Sequence, residues 1–289
     1  MPRTIESGFS DFLTKLTPSA TESQAAKTHR ASIEACLKNN FGLIRFARIG
    51  SFGNGTSISG YSDVDYLACL PTDQLAQQSD SSLTKVRNAL ELRFPHTGVR
   101  VSCPTVVVPF GNSKSETTEI VPADLVQKSN YDIYDIADCA GGWMKASPDA
   151  HNAYVRWVDD KHGGQVKPLI RYVKAWKCYR QVPIASFYLE LFVSVYAANE
   201  TSIIYAYDVS SILARILNTG LTALPDPMKV SGGIQPCKSS ANHQEAIGKL
   251  QNACSKASKA CEELGKGNTL RAFEQFRLLY GENFPSFYY

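Results

Sequence analysis

The chain has 289 residues, a formal net charge of +3, 44% hydrophobic and 20% charged residues, the make-up of an ordinary globule with room for one large domain or two lobes. So small a positive excess does not support a general nucleic-acid binder, which carries a pronounced basic face. No apolar run reaches the length of a membrane span. The first ten residues lack the charged-then-apolar pattern of a signal peptide. The eight cysteines are scattered without a C-x-x-C, which predicts reduced thiols in a cytoplasmic protein rather than disulfides or zinc. The five histidines are equally dispersed, so no transition-metal site is expected.

Helical spacing of Phe9, Phe12, Leu13 and Leu16, and of Ile33, Cys36 and Leu37, predicts helix over 7–38. Pro18 should break it, and Asn39, Asn40 and Gly42 should end it. Apolar runs predict strands at Leu43–Ile49 and Val64–Leu70. A polar loop over 71–82 leads to a helix from about Leu83 to Phe94, with Val86, Leu90 and Phe94 on one face. Residues 99–110 are rich in β-branched side chains, and Thr117–Val121 should return antiparallel after the turn Gly111-Asn112-Ser113-Lys114. Tyr131–Ile136 predicts a further strand before the Gly141-Gly142 turn. Beyond Pro148 the pattern is helical almost throughout, at about 150–160, 165–180, 186–199, 208–219, 241–264 and 269–280, with a turn-rich loop over 226–240. Trp143, Trp157, Tyr205 and Tyr207 are expected in the core. The expected class is α+β: a lobe with a mixed β-sheet and an N-terminal helix over 1–148, then a helical lobe over 149–289.

The chemistry concentrates between the first two strands. Gly50-Ser51-Phe52-Gly53-Asn54-Gly55-Thr56 closes strand one, and Asp63-Val64-Asp65 opens strand two. Residues two apart on a strand share a face, so Asp63 and Asp65 aim at one point. Paired carboxylates on a rigid strand suit a hard divalent cation such as Mg²⁺. A Gly-Ser turn entering a helix offers N–H groups and a hydroxyl to phosphate. Metal and phosphate held together mean phosphoryl or nucleotidyl transfer. A third carboxylate is expected on a neighbouring strand. Glu119, inside the returning strand, is preferred to Asp124, which follows Pro122 and should lie beyond the ladder, because ligands need rigid elements. Alone, such a glutamate would read as a solvated outer face. Lys167, Arg171, Lys174 and Arg180 likewise read as a solvated helix face; beside a nucleotide, Lys174 supplies a mobile point charge.

Several words in the chain are shared with one family: Phe12-Leu13-x-x-Leu16-Thr17-Pro18, Arg48-Ile49-Gly50-Ser51-Phe52, Gly60-Tyr61-Ser62-Asp63-Val64-Asp65-Tyr66, Ile120-Val121-Pro122-Ala123, Lys174-Ala175-Trp176-Lys177, Ser186-Phe187-Tyr188-Leu189-Glu190 and Gly281-x-x-Phe284-Pro285. Together they resemble the bacterial CD-NTases, relatives of animal cyclic GMP–AMP synthase in the polymerase-β-like nucleotidyltransferase superfamily. The resemblance spans nearly the whole chain. It implies a bilobed fold with the active site in the cleft. It also implies metal-dependent joining of NTPs, ATP or GTP among them, into a cyclic di- or trinucleotide second messenger for anti-phage defence.

By the same resemblance Asp63, Asp65 and Glu119 are catalytic and hold two Mg²⁺ ions, with Mn²⁺ the other candidate. Gly50 and Ser51 grip phosphate, Lys174 and Ser186 hold the donor triphosphate, and Phe187 stacks on the donor base. Relatives often have aspartate where Glu119 stands. The implied partners are NTPs, a downstream effector reached through the product, and a regulatory protein. No membrane association is implied. The zinc insertion of the DNA-sensing animal members has no match here, so no double-stranded DNA requirement is implied. Two other readings remain open from the residues: nucleotidyl transfer to a protein, small molecule or RNA end, and a catalytically inactive nucleotide-binding regulator, whose best support is the glutamate at 119.

Overall fold

A computed structural model describes residues 4–61, 63–111 and 116–288. In chain order the first elements are α1 (Ile5–Leu16), α2 (Ala20–Phe41), β1 (Arg45–Ile49), α3 (Gly50–Asn54), β2 (Val64–Leu70) and α4 (Ser79–Arg93). The helix expected over 7–38 is two helices, α1 and α2, parted at Pro18 as its missing N–H requires. Thr4 caps α1 by accepting from the Ser7 N–H at 3.2 Å.

The β-branched run is split at Pro104 into β3 (Arg100–Ser102) and β4 (Thr105–Phe110). The turn that follows lies, beyond Gly111, outside the described residues. Next come β5 (Glu116–Gln127), β6 (Ile133–Ala137), β7 (Trp143–Ala146), α5 (Pro148–Lys161), α6 (Val166–Tyr179), α7 (Ser186–Ala198), α8 (Tyr205–Asn218), α9 (Ser240–Gly265) and α10 (Thr269–Tyr280). The helices lie where their apolar spacing predicts them. Among the described residues no helix is long and apolar enough to cross a membrane.

Contacts divide the chain into two compact units, one of Pro18–Ala153 with Met228–Ser231, the other of the chain up to Thr17, Tyr154–Pro227 and Gly232 onward. The first unit is built on a sheet of order β1-β2-β5-β4-β3, with β6 also on β5 and β7 on β6. β2 and β5 run parallel and every other pair is antiparallel, so the sheet is mixed, as expected. Period two sorts its residues. Phe46, Val64, Tyr66, Ala68, Leu70, Val106, Val108 and Ile120 pack with Ile33, Cys36 and Leu37 of α2 and Leu83, Val86 and Leu90 of α4. Leu67, Cys69, Val121, Ala123 and Tyr134 form a smaller cluster on the other face. Each such Leu, Val or Phe contributes about 1.5–3 kcal/mol by leaving water.

Two expectations are corrected here. β5 does not stop near Pro122 but runs on to Gln127, so Asp124 lies inside the ladder, opposite Leu70 and Asp135. Pro122 is tolerated because it falls between the residues paired with β4 and those paired with β6. The cysteines are also not all reduced: Cys103 and Cys139 form a disulfide with Cα atoms 5.6 Å apart. These two are 36 residues apart in sequence and meet only through the sheet's topology, which their spacing does not encode. The other six cysteines are free thiols.

The second unit is helical. Its core gathers Phe9 and Phe12 of α1 around Tyr172 of α6, Phe276 and Tyr280 of α10, and Phe284. The Tyr172 hydroxyl donates to the Phe9 carbonyl at 2.8 Å. α1 is therefore packed with the C-terminal helices. Gly8 permits this approach, since a Cβ there would stand 2.6 Å from the Phe273 ring. Of the aromatics expected in the core, Trp157 and Tyr207 are exposed instead. Ala150, Val155 and Val158 make the buried stripe of α5, and Trp157 falls off it.

Candidate active site

Two sets of sequence-selected residues exist, one in each unit. In the sheet unit, Ile49 at the end of β1 pairs with Asp65 of β2, and the chain turns at once into α3. Gly50 makes that turn with φ of +61°, a left-handed backbone that suits glycine. Its missing side chain has a second use. A Cβ on Gly50 would land on Asp65 Oδ2 and stand 2.8 Å from Asp65 Cγ. The Asp65 carboxylate thus lies directly on the Gly50 backbone. Gly53 is equally confined, because a Cβ there would meet the Arg48 carbonyl oxygen at 2.9 Å. Ser51 stands half-buried in the first turn of α3, and its carbonyl accepts from the Thr56 N–H at 2.8 Å.

Asp63 immediately precedes β2 and is exposed, while Asp65 and Glu119 are half-buried. The parallel register sets Asp65 directly against Glu119, on strands about 4.8 Å apart. By strand alternation Asp65 and Glu119 share a face with the Leu67–Val121 cluster. Asp124 has the opposite parity. Its Oδ1 accepts instead from the Thr72 hydroxyl at 2.8 Å.

The donor set fits a divalent cation. It is all carboxylate, as Mg²⁺ or Mn²⁺ prefers, and two of its three members are fixed at paired positions of adjacent strands. Among the described residues no three His, Cys, Asp or Glu side chains are yet gathered into a metal cage. The backbone brings Asp65 and Glu119 to paired positions, with Asp63 two residues before Asp65 in the chain.

In the helical unit, α6 and α7 are joined by two polar rungs. Lys174 Nζ lies 3.4 Å from Glu190 Oε2, and the pair is buried, with the side chains 3% and 8% exposed. One turn on, Lys177 Nζ donates to Ser186 Oγ at 2.7 Å. Lys174 and Lys177 share a face of α6 by i,i+3 spacing, and Ser186 and Glu190 share a face of α7 by i,i+4 spacing. Ser186 opens α7, whose cap residue Ala185 makes no side-chain cap bond. Phe187 beside it is 44% exposed. Burial pushes the Cys178 thiol up, while Lys177 and Lys174 pull it back.

Ser186 therefore has Lys177, not Lys174, as its hydrogen-bonded lysine. Neither Lys177 nor Glu190 is among the site residues that the sequence alone selects. The spacing that could have found them is plain in Lys174-x-x-Lys177 and Ser186-x-x-x-Glu190.

Comparison with known proteins gives the family and the fold. The Second Messenger Oligonucleotide or Dinucleotide Synthetase domain matches residues 3–160. The chain belongs to that family, the CD-NTases. It is 26% identical over 160 residues to a probable cyclic nucleotide synthase of Bacillus cereus (strain VD146). That match covers 51% of this chain and 48% of the relative, so it spans about half of the curated protein's length.

The fold is shared along nearly the whole chain with CdnC of E. coli MS115-1. Its ATP-bound structure is 17% identical with a TM-score of 0.75 and coverage of 97% and 98% of the two chains. The same protein in its HORMA-deltaN complex gives a TM-score of 0.74 at 17% identity and the same coverage. Vibrio cholerae DncV, a cyclic AMP-GMP synthase solved with the linear intermediate pppA(3′,5′)pG, is 14% identical with a TM-score of 0.66, over 84% of this chain and 70% of its own.

Proposed function

We propose that this chain joins NTPs into a cyclic di- or trinucleotide second messenger and works in bacterial anti-phage signalling. The observation that carries the reading is the paired register of Asp65 and Glu119 beside a Gly50 turn with no room for a side chain. Asp63, Asp65 and Glu119 are the residues that would hold two divalent cations. Such ions, when bound, acidify an attacking hydroxyl and offset charge on leaving oxygens.

The remaining work falls to the chain itself. The Gly50–Ser51 N–H groups and the Ser51 hydroxyl donate to phosphate oxygens. A Glu119 carboxylate oxygen accepts the proton of the attacking ribose hydroxyl. Lys174, held by Glu190, and Lys177 with Ser186 bind the donor's β- and γ-phosphates. Phe187, 44% exposed, stacks on the donor base, worth about 1–3 kcal/mol. Catalysis on this plan is positioning and charge neutralisation. For a ring to close, the linear product must be presented to the same carboxylates a second time.

The ATP and linear-intermediate complexes of the structural relatives support NTPs as substrates, and the HORMA complex of CdnC supports regulation by a partner protein. A cytoplasmic location, with the product carrying the signal to an effector, suits a reaction that consumes NTPs. The test is incubation of the purified chain with the four labelled NTPs and Mg²⁺ or Mn²⁺, phosphatase digestion, and mass spectrometry. A phosphatase-resistant product with a ring mass is expected. Label that appears only on added protein, small molecule or RNA would overturn the reading in favour of another acceptor.

A further inference from the structure

On one edge of β5 two strands meet end to end. β4 pairs with Glu116–Ile120 and β6 with Ala123–Gln127, which leaves Val121 and Pro122 between the two ladders. Cys103 stands two residues before β4 and Cys139 two residues after β6. Their disulfide therefore spans this seam, joining the two strands where the ladder that should align them is interrupted.

Three observations set this pair apart from a fixed cystine. Cys139 is exposed, whereas Cys103 is half-buried and packs against the core. Cys139 also has φ of +66°, the left-handed region that a residue with a Cβ enters only at a cost. An opened bridge would free the residue from that conformation. Finally, burial pushes the thiols of all six remaining cysteines up, so they present little thiolate to compete.

We propose that Cys103 and Cys139 form a reversible thiol–disulfide modification site, exchanging with a small-molecule thiol or disulfide, whose closed state staples the β4–β6 seam. To close it, the Cys139 thiolate attacks one sulfur of a disulfide RSSR and forms a Cys139–S–S–R mixed disulfide. The departing RS⁻ takes up the proton that Cys139 gave up. The Cys103 thiolate then attacks the Cys139 sulfur and expels the second R group as RSH. Two cysteine thiols are oxidised and one RSSR is reduced to two RSH; opening is the reverse. Where disulfides form in reducing compartments they are usually of this transient kind. The inference is independent of the reaction the chain catalyses.

The experiment equilibrates the 289-residue chain in glutathione buffers from fully reduced to fully oxidised. Samples are quenched in acid, alkylated and mapped by peptide mass spectrometry, with hydrogen exchange measured on parallel samples. Cys103 and Cys139 should pass together from both alkylated to linked with each other, and return when thiol is added back. The other cysteines should stay unlinked. Amides of Ile133–Ala137 should exchange about tenfold faster in the reduced form, because local opening follows local tethering.

A bridge that stays closed in fully reduced buffer would overturn the proposal, as would thiols that never pair in oxidised buffer. Joint titration without any change in exchange would remove the staple. Cys139→Ser should abolish the redox dependence of exchange; a variant that keeps it would show that another pair is responsible.

Discussion

Gly50→Ala separates structure from chemistry more sharply than removing a carboxylate does. The substitution has two consequences. Alanine at φ of +61° costs about 1–2 kcal/mol relative to glycine in the left-handed region. At about 2–4 °C per kcal/mol for a chain of this size, the melting temperature should fall by about 2–8 °C. The second consequence is local. The new Cβ would stand 2.8 Å from Asp65 Cγ and overlap Oδ2, so the carboxylate must move by about an ångström or the turn must open. A shift of that size costs about 100-fold in rate where catalysis depends on positioning. Gly267→Ala is the control, since Gly267 has φ of +76° and a Cβ there would meet nothing within 4 Å. Thermal melts and product formation from NTPs, measured on both variants, decide the matter. Both should lose similar stability, and Gly50→Ala alone should lose activity. Near-wild-type turnover in Gly50→Ala, or equal losses of activity in the two, would refute the placement of Asp65 in the site.

Asp63→Asn, Asp65→Asn and Glu119→Gln should each abolish product formation with little change in melting, through a loss of several kcal/mol of charge stabilisation. Asp124→Asn should be mild, and the opposite pattern at 119 and 124 would relocate the third carboxylate. Lys177→Ala should weaken NTP binding, read by titration calorimetry, with little loss of stability. Glu190→Gln should lower stability in denaturant titrations, because it removes the carboxylate charge that faces buried Lys174; a variant as stable as the wild type would discount that ion pair. Added duplex DNA should leave the NTP-dependent rate unchanged at physiological salt, and a large, salt-sensitive stimulation would contradict this.

The carboxylates are legible in the sequence because a strand's period is rigid. Once Val64–Leu70 reads as a strand opened by Asp63, both aspartates are expected at its start, and the register with β5 remains to be found. That register depends on where the hairpin strand ends, and there the sequence misleads. Pro122 reads as a terminator, yet β5 exchanges one antiparallel neighbour for another around it, so the strand passes through. The same exchange brings Cys103 and Cys139 together, and no local pattern could announce it. The stripe of Phe9, Phe12 and Leu16 shows that α1 must be buried, but not against what.

Lys174 shows the limit in its clearest form. Its helix and face follow from spacing, while its burial against Glu190 depends on how α7 packs on α6. That pairing bears on mechanism. A lysine 3% exposed with a carboxylate at 3.4 Å is a charge already largely offset. For it to act on a triphosphate, either Glu190 must release it or its role is to hold α6 against α7 so that Lys177 and Ser186 stay 2.7 Å apart. These alternatives differ in what Lys174→Arg should do. A charge that binds phosphate tolerates arginine in binding assays, whereas a space-limited buried rung does not tolerate it in the melt. Loss of stability in Lys174→Arg, with NTP affinity tracking only the folded fraction, would assign phosphate binding to Lys177 and leave Lys174 to position it.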